Sequence, residues 1–448
     1  MYRDALSELI KWKARKDRKP LIVNGARQVG KTWLLGEFGR CHYDKTAYVL
    51  MSDNQRMQNL FTSTSDAGTL ISGIEAEVGF SINPENTLIV LDEIQEVPKA
   101  ISALKYFCEQ APEYHVAVAG SMLGIALHEG VSYPVGKVNS LTIYPMTFSE
   151  FVRAVKSDQF ASVLEGHNLA LSDSFHDSFN ELLRHYLFIG GMPEVVKRFV
   201  DTSDFHETRL VQKQILADYD RDFSKHAPLQ VVPRIRMVWN SLPSQLSREN
   251  KKFVYGVLKH GARAKEFEIA IQWLVDAGIA LRIHRVNKVG APLKHYEDLS
   301  AFKLFVLDVG LLGALSNLEP RLVLEENKLL TEFKGAYTEQ YVAEQLVAAQ
   351  LPVYYFSSDD AKIEVDFVTE VDGQAIPIEV KSATNLHSKS LTHFVNKRAL
   401  KRALKFSLLA EKRNEIIINE PLYLAQYTAY LARESDDSDT SSNREAGE

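Results

Sequence analysis

The sequence predicts an α/β fold with a doubly wound parallel sheet, and three stretches carry that prediction. Leu21-Ile22-Val23 is a short apolar run leading through Gly25–Thr32 into the amphipathic start Trp33-Leu34-Leu35 with Phe38, the order strand, loop, helix. Thr87–Leu91 is continuously apolar with β-branched residues, as a strand buried on both faces requires. His115-Val116-Ala117-Val118-Ala119 repeats the pattern.

Each strand ends in residues that suit phosphate chemistry. Gly25-Ala26-Arg27-Gln28-Val29-Gly30-Lys31-Thr32 fits the phosphate loop G-x-x-x-x-G-K-[ST], and Trp33 follows it directly. The glycines let backbone N–H groups close around phosphates, Lys31 supplies a charge for the β- and γ-phosphates, and Thr32 offers a hydroxyl to Mg²⁺. A bound nucleoside triphosphate is therefore expected. The second strand ends in Asp92-Glu93. Asp92 is assigned to the Mg²⁺ shell and Glu93 to polarising the attacking water. Taken alone, an apolar strand ending in two acids is an ordinary strand boundary, and the phosphate loop about sixty residues earlier is what tips the reading. The third strand ends at Gly120-Ser121, where Ser121 could touch the γ-phosphate or the water, although Gly-Ser also makes an ordinary turn.

Composition frames the remainder. A chain of 448 residues, 45% hydrophobic, has room for about three domains. Its two cysteines, Cys41 and Cys108, are too few for a disulfide framework, and nowhere do eighteen apolar residues run together. With no apolar leader after Met1, a cytoplasmic protein with no membrane partner is expected. The formal net charge is −6, most of it in the tail from Glu434 to Glu448, where six acids face one arginine. Such a tail, residues 433–448, is expected to be disordered. Elsewhere three basic clusters stand out: residues 1–19, Ser247–Lys265 and residues 389–413. Each can be a solvated helix face; together they favour a polyanion, and nucleic acid is the expected partner.

The expected organisation is a basic N-terminal helix (1–19), a P-loop domain (20–150), a helical lid (151–227), a winged-helix-like module (228–295) and a C-terminal α/β domain (296–432). Pro145 and a Ser149 cap mark the first boundary. The lid arginines Arg184, Arg198 and Arg221 are candidates for a γ-phosphate sensor or a finger acting on a neighbouring subunit, which would make the protein a homo-oligomer. The winged-helix expectation rests on a basic helix through Phe253-Val254-Tyr255, an amphipathic helix from Ala264, and a strand pair at Ala280–Val286 and Pro292-Leu293. Such modules contact DNA or serve as protein spacers.

The C-terminal third has its own constellation. After a helix from about Leu330 to Leu346 come Val353–Phe356, Lys362–Val368, a turn at Asp372-Gly373, and Ala375–Lys381. On a strand Glu379 and Lys381 share a face, Asp366 comes from the adjacent strand, and Glu339 from the helix. Three carboxylates and a lysine suit metal-assisted phosphodiester cleavage, with Asp366 and Glu379 holding Mg²⁺ and Lys381 steadying charge. A cross-strand ion pair is the plainer alternative.

Two resemblances follow. Gly25–Thr32 and Leu91–Gln95, with Gly120-Ser121, Leu141–Phe151, Gly190–Glu194, Ser241–Leu246 and Phe302–Phe305 with Asp308–Leu312, resemble the large prokaryotic family of AAA-type ATPases whose P-loop domain is joined to a C-terminal region of uncharacterised role. That resemblance implies an ATP-driven protein and leaves open what ATP is used for. The helix acid, Asp366 and Glu379-x-Lys381 resemble the restriction-endonuclease-like core, either cleaving or having lost activity. Two functions stay open: an ATP-regulated nucleic-acid enzyme, and an ATP-dependent binding switch or scaffold.

Overall fold

The computed structural model describes residues 1–121, 133–166, 169–248, 251–321, 331–358, 363–381, 389–413 and 416–433. The acidic tail expected at 433–448 lies outside these residues except for Arg433. The chain forms two units, Met1–Pro145 with Gln272–Ile279, and Met146–Ile271 with Ala280–Glu448.

In the first unit the burial of each strand follows its place in the sheet. Strands β1 (Leu21–Asn24), β2 (Lys45–Leu50), β3 (Thr87–Asp92), β4 (His115–Ala119) and β5 (Asn139–Thr142) lie in the order β2-β3-β4-β1-β5, and every neighbouring pair is parallel. The central strands β3 and β4 are buried throughout, whereas the edges β2 and β5 alternate between covered and open residues. Because all strands run one way, the loops after β1, β3 and β4 emerge at the same end of the sheet, where ligands bind in such folds. Helices Lys31–His42, Gln55–Ser63, Ala67–Val78 and Pro98–Gln110 connect them. Ile89, Leu91, Val116 and Val118 belong to a core with Leu70, Ile74, Leu104 and Phe107.

The N-terminal helix Ala5–Ala14 is part of this unit. Trp12 is buried against Phe38 and His115, Lys13 lies 4.0 Å over the Tyr43 ring, and Arg18 donates to the Glu113 carbonyl. Two of the residues behind the basic reading of 1–19, Lys13 and Arg18, therefore pack or bond internally.

The second unit begins with helices. Phe148–Val155 is capped by Thr147, whose hydroxyl accepts from Glu150 N while Glu150 returns the bond. The cap is Thr147, not the expected Ser149. Helices His176–Ile189, Pro193–Thr202, Phe205–His226 and Val232–Leu246 follow. Gly190 and Gly191 form the break between the first two, and Asp308 explains it. Its carboxylate accepts from Gly191 N at 2.6 Å and Leu311 N at 2.9 Å, and a Cβ on Gly190 would lie 2.2 Å from it. Burial pushes this carboxyl up to about 6.

An eight-stranded sheet completes the unit: β6 (Ala280–Val286), β7 (Glu297–Val306), β8 (Val353–Ser357), β9 (Glu364–Val371), β10 (Gln374–Val380), β11 (Ala403–Ser407), β12 (Lys412–Arg413) and β13 (Ile417–Pro421), in the order β12-β13-β11-β10-β9-β8-β6-β7. Helix Thr331–Ala348 precedes β8; β8, β9 and β10 form an antiparallel meander; helix Lys389–Lys397 then leads to β11, parallel to β10. The β9–β10 turn is at Asp372-Gly373, both with positive φ, as a two-residue hairpin asks.

The winged-helix expectation is corrected here. Phe253 is not helical; its N–H donates to Phe302 O at 2.8 Å, and a 3₁₀ turn follows at Tyr255–Val257. Pro292-Leu293 is not a strand, because a 3₁₀ turn forms at Leu293–Tyr296 with Leu293 N bonded to Glu370. The partner of β6 is β7, and the other edge of β6 pairs with β8. What reads as a separate wing is the rim of a larger sheet.

Candidate functional sites

At the phosphate loop, geometry follows from the two glycines. Gly25 has φ 145° and Gly30 has φ 93°, both reserved for residues without a side chain, and a Cβ on Gly25 would meet Ile143 O at 2.5 Å. Gly30 caps the helix that starts at Lys31, so the loop ends on a helix N-terminus. Lys31 is 8% exposed, and its Nζ donates to the carbonyls of Gly25 at 2.9 Å and Ala26 at 2.7 Å. Burial lowers it to about 8, while Glu93 and Asp92 pull it upward. Ala26 and Val29 are buried, Arg27 and Gln28 half-buried, and Trp33 is exposed.

Thr32 Oγ1 donates to Asp92 Oδ2 at 2.7 Å, and Tyr48 OH donates to the same oxygen at 2.8 Å. A hydroxyl and a carboxylate joined in this way, one residue from Lys31, fit Mg²⁺ held together with phosphate oxygens. Glu93 follows in a left-handed conformation, φ 52°. It accepts from Gln95 Nε2 and, at 3.3 Å, from Ser121 Oγ. The ends of β1, β3 and β4 thus bring together Lys31, Thr32, Asp92, Glu93 and Ser121.

Sequence reasoning missed three contributors. Tyr48 sits on the edge strand beside Asp92, Gln95 anchors Glu93, and buried Arg3 donates to the carbonyls of Val29 at 2.8 Å and Tyr144 at 2.6 Å, bracing the loop from outside. Only Gln95 had a local signal, two residues from Glu93. The other two reach the site through the fold.

The C-terminal cluster also assembles. Ile378 pairs with Phe367 across β10 and β9, so the register sets Glu379 opposite Asp366 on one face. Asp366 Oδ2 accepts from Val380 N at 2.8 Å, and Lys381 Nζ lies 2.6 Å from Glu379 Oε1. Burial and the neighbouring Glu339 push Asp366 up to about 7. Burial would lower Lys381, but Glu379, Asp366 and Glu339 hold it above the usual range. Glu339 faces in from its helix as expected, and there it meets two lysines that sequence reasoning missed. Lys251 Nζ donates to Glu339 Oε1, and Lys303 Nζ lies 3.6 Å from Glu339 Oε2 and 2.9 Å from Glu364.

These residues do not fit Mg²⁺ as they stand. Ammonium groups occupy an oxygen of both Glu339 and Glu379, and among the described residues no group of three or more His, Cys, Asp or Glu is placed to hold a metal ion. The basic clusters nearby are partly committed too: Lys259 pairs with Glu266 at 2.9 Å, and Arg398 lies 4.1 Å over the Phe394 ring. No helix among the described residues is long and apolar enough to cross a membrane.

Comparison with known proteins finds a family match that spans the phosphate loop. Residues 17–152 match the AAA domain family; residues 180–322 and 334–427 match two domains of unknown function (DUF8612 and DUF4143). No curated protein matches the chain. Among solved structures, the Walker-type ATPase PABY2304 of Pyrococcus abyssi is similar at 14% identity, over 70% of this chain and 95% of that one, with a TM-score of 0.42. The Aeropyrum pernix ORC1 protein, solved in complex with DNA, is similar at 13% identity over 71% and 93%, TM-score 0.26. Protein VC1899 from Vibrio cholerae is similar at 11% identity over 87% and 97%, TM-score 0.16. Similarity at this level carries no argument about this chain. The match over residues 17–152 and the geometry above do: the N-terminal unit contains a P-loop ATPase domain of the AAA type.

Proposed function

We propose that the protein hydrolyses ATP with Mg²⁺ at Lys31, Thr32, Asp92 and Glu93, and uses the cycle to change the conformation of a second, nucleic-acid-directed unit. One observation carries the first half: Thr32, Asp92 and Glu93 stand together at the same-end termini of the parallel strands β1 and β3, beside a buried lysine. Glu93 acts by orienting water, with Ser121 and Gln95 fixing its carboxylate, and Asp92 with Thr32 would hold the metal. Free Cys41 and Cys108 suit a cytoplasmic setting.

For the second half the support is topological. A helix, an antiparallel meander, a helix and a parallel strand, with Glu339, Asp366, Glu379 and Lys381 on them, is the arrangement of a restriction-endonuclease-like core. A winged-helix contact gains no support from β6 and β7, which are the rim of the large sheet. Of the two open functions, the ATP-dependent binding switch is favoured, because the lysines around Glu339 oppose the metal that cleavage at Asp366 and Glu379 would use. Phosphate release by the full chain, measured with and without DNA or RNA, tests the coupling: stimulation is expected, and turnover indifferent to both would refute it.

A further inference from the structure

Away from the phosphate loop, a group of buried ionisable side chains surrounds Glu339. Four carboxylates meet there, Glu339, Glu364, Asp366 and Glu379. A buried carboxylate needs a counter-charge, and either a metal ion or an ammonium group can supply it. Here the ammonium groups come partly from outside the helix–meander–helix core. Lys303 is on β7, separated from β9 by the two strands β8 and β6, and Lys251 precedes the turn at Tyr255–Val257. Both reach inward. Lys303 is 1% exposed, spans Glu339 and Glu364 at 3.6 and 2.9 Å, and lies 5.0 Å over the Tyr355 ring; Lys251 is 11% exposed and bonds to Glu339.

A lysine buried this deeply stays charged only because acids surround it, so it is a fixed part of the site. Lys251 takes one oxygen of Glu339 and Lys303 one of Glu364, lone pairs that a hard cation would use, and their charges repel that cation, while Oε2 of Glu339 and Oε2 of Glu379 keep no hydrogen-bond partner among the described residues. We infer that Lys303 and Lys251 stand in for the divalent cation, so that this nuclease-like site has most of its negative charge offset without metal and does not cleave through one. The inference rests on reading the second unit as nuclease-like.

Mn²⁺, which takes the same oxygen ligands as Mg²⁺, reports occupancy directly by electron paramagnetic resonance in the nucleotide-free full chain. Wild type and Asp366→Asn should take up equal amounts. The Lys251→Gln, Lys303→Gln double variant should gain about one Mn²⁺ per chain, and adding Asp366→Asn should remove it. Wild type binding about one Mn²⁺ more than Asp366→Asn would overturn the inference, as would a double variant, folded by circular dichroism, that gains none. If the double variant does not fold, the comparison of wild type with Asp366→Asn decides alone. Binding of DNA or RNA in EDTA is a separate readout: its loss would refute the nucleic-acid reading without altering the Mn²⁺ count.

Discussion

Nucleotide affinity should fall as pH rises through the range where Lys31 loses its proton. Burial lowers this lysine from 10.5 to about 8, because in the free protein only two carbonyls and the nearby Asp92 and Glu93 compensate for lost water. Phosphates prefer the charged form, so binding draws on the protonated fraction. At pH 7 that fraction is about nine-tenths and at pH 9 about one-eleventh, which predicts affinity about tenfold weaker at pH 9. The same shift acts on stability with the opposite sense. Below pH 8 the folded state bears the cost of a buried charge, on the order of 3 kcal/mol, and between 8 and 10.5 that cost is relieved, so this residue's contribution to stability rises with pH. Calorimetry with a non-hydrolysable ATP analogue from pH 7 to 9.5, in buffers of different ionisation heat, reads both affinity and proton uptake. Lys31→Arg, charged throughout, is the control and should be flat. Wild-type affinity that is equally flat, with no proton uptake at pH 9, would refute the account of Lys31.

Other perturbations separate the remaining roles. Glu93→Gln should bind ATP normally and slow hydrolysis by about 100-fold or more, seen as nucleotide trapped on the protein; normal turnover would reduce Glu93 to a structural acid. Tyr48→Phe removes a bond to the Asp92 carboxylate, so half-maximal turnover should need about three- to tenfold more Mg²⁺, whereas an unchanged metal requirement would disconnect Tyr48 from the site. Asp308→Ala leaves the buried N–H groups of Gly191 and Leu311 without their acceptor and should cost about 2–5 kcal/mol in urea unfolding; a loss below about 1 kcal/mol would contradict its role as the clamp on Gly190-Gly191.

The difference between what the sequence discloses and what it hides follows the range of the interactions. Three of the five strands of the first sheet (β1, β3 and β4), the phosphate loop and Asp92-Glu93 are local patterns, where a continuous apolar run or a glycine spacing states its own structure. The turn at Asp372-Gly373 is legible for the same reason, since two successive positive φ values select those residues. Tyr48, Arg3, Lys251 and Lys303 are not legible. Each acts on a partner far along the chain, Tyr48 on Asp92 and Lys303 on Glu339, and nothing near it in sequence marks the contact. The mistaken wing has a related cause. Ala280–Val286 reads correctly as a strand, yet strand patterning does not say which strands will flank it, and here both edges are paired. Composition does not say which members of a basic cluster are committed internally: Lys13, Arg18, Lys251 and Arg398 turn toward carbonyls, carboxylates or rings of their own chain.

Phosphate release from ATP by the purified full chain, measured beside nucleotide binding for wild type, Lys31→Ala and Glu93→Gln, bears most directly on the central claim. The account predicts Mg²⁺-dependent turnover in the wild type, loss of both binding and turnover in Lys31→Ala, and binding without turnover in Glu93→Gln. Hydrolysis that persists unchanged in folded Lys31→Ala would contradict it.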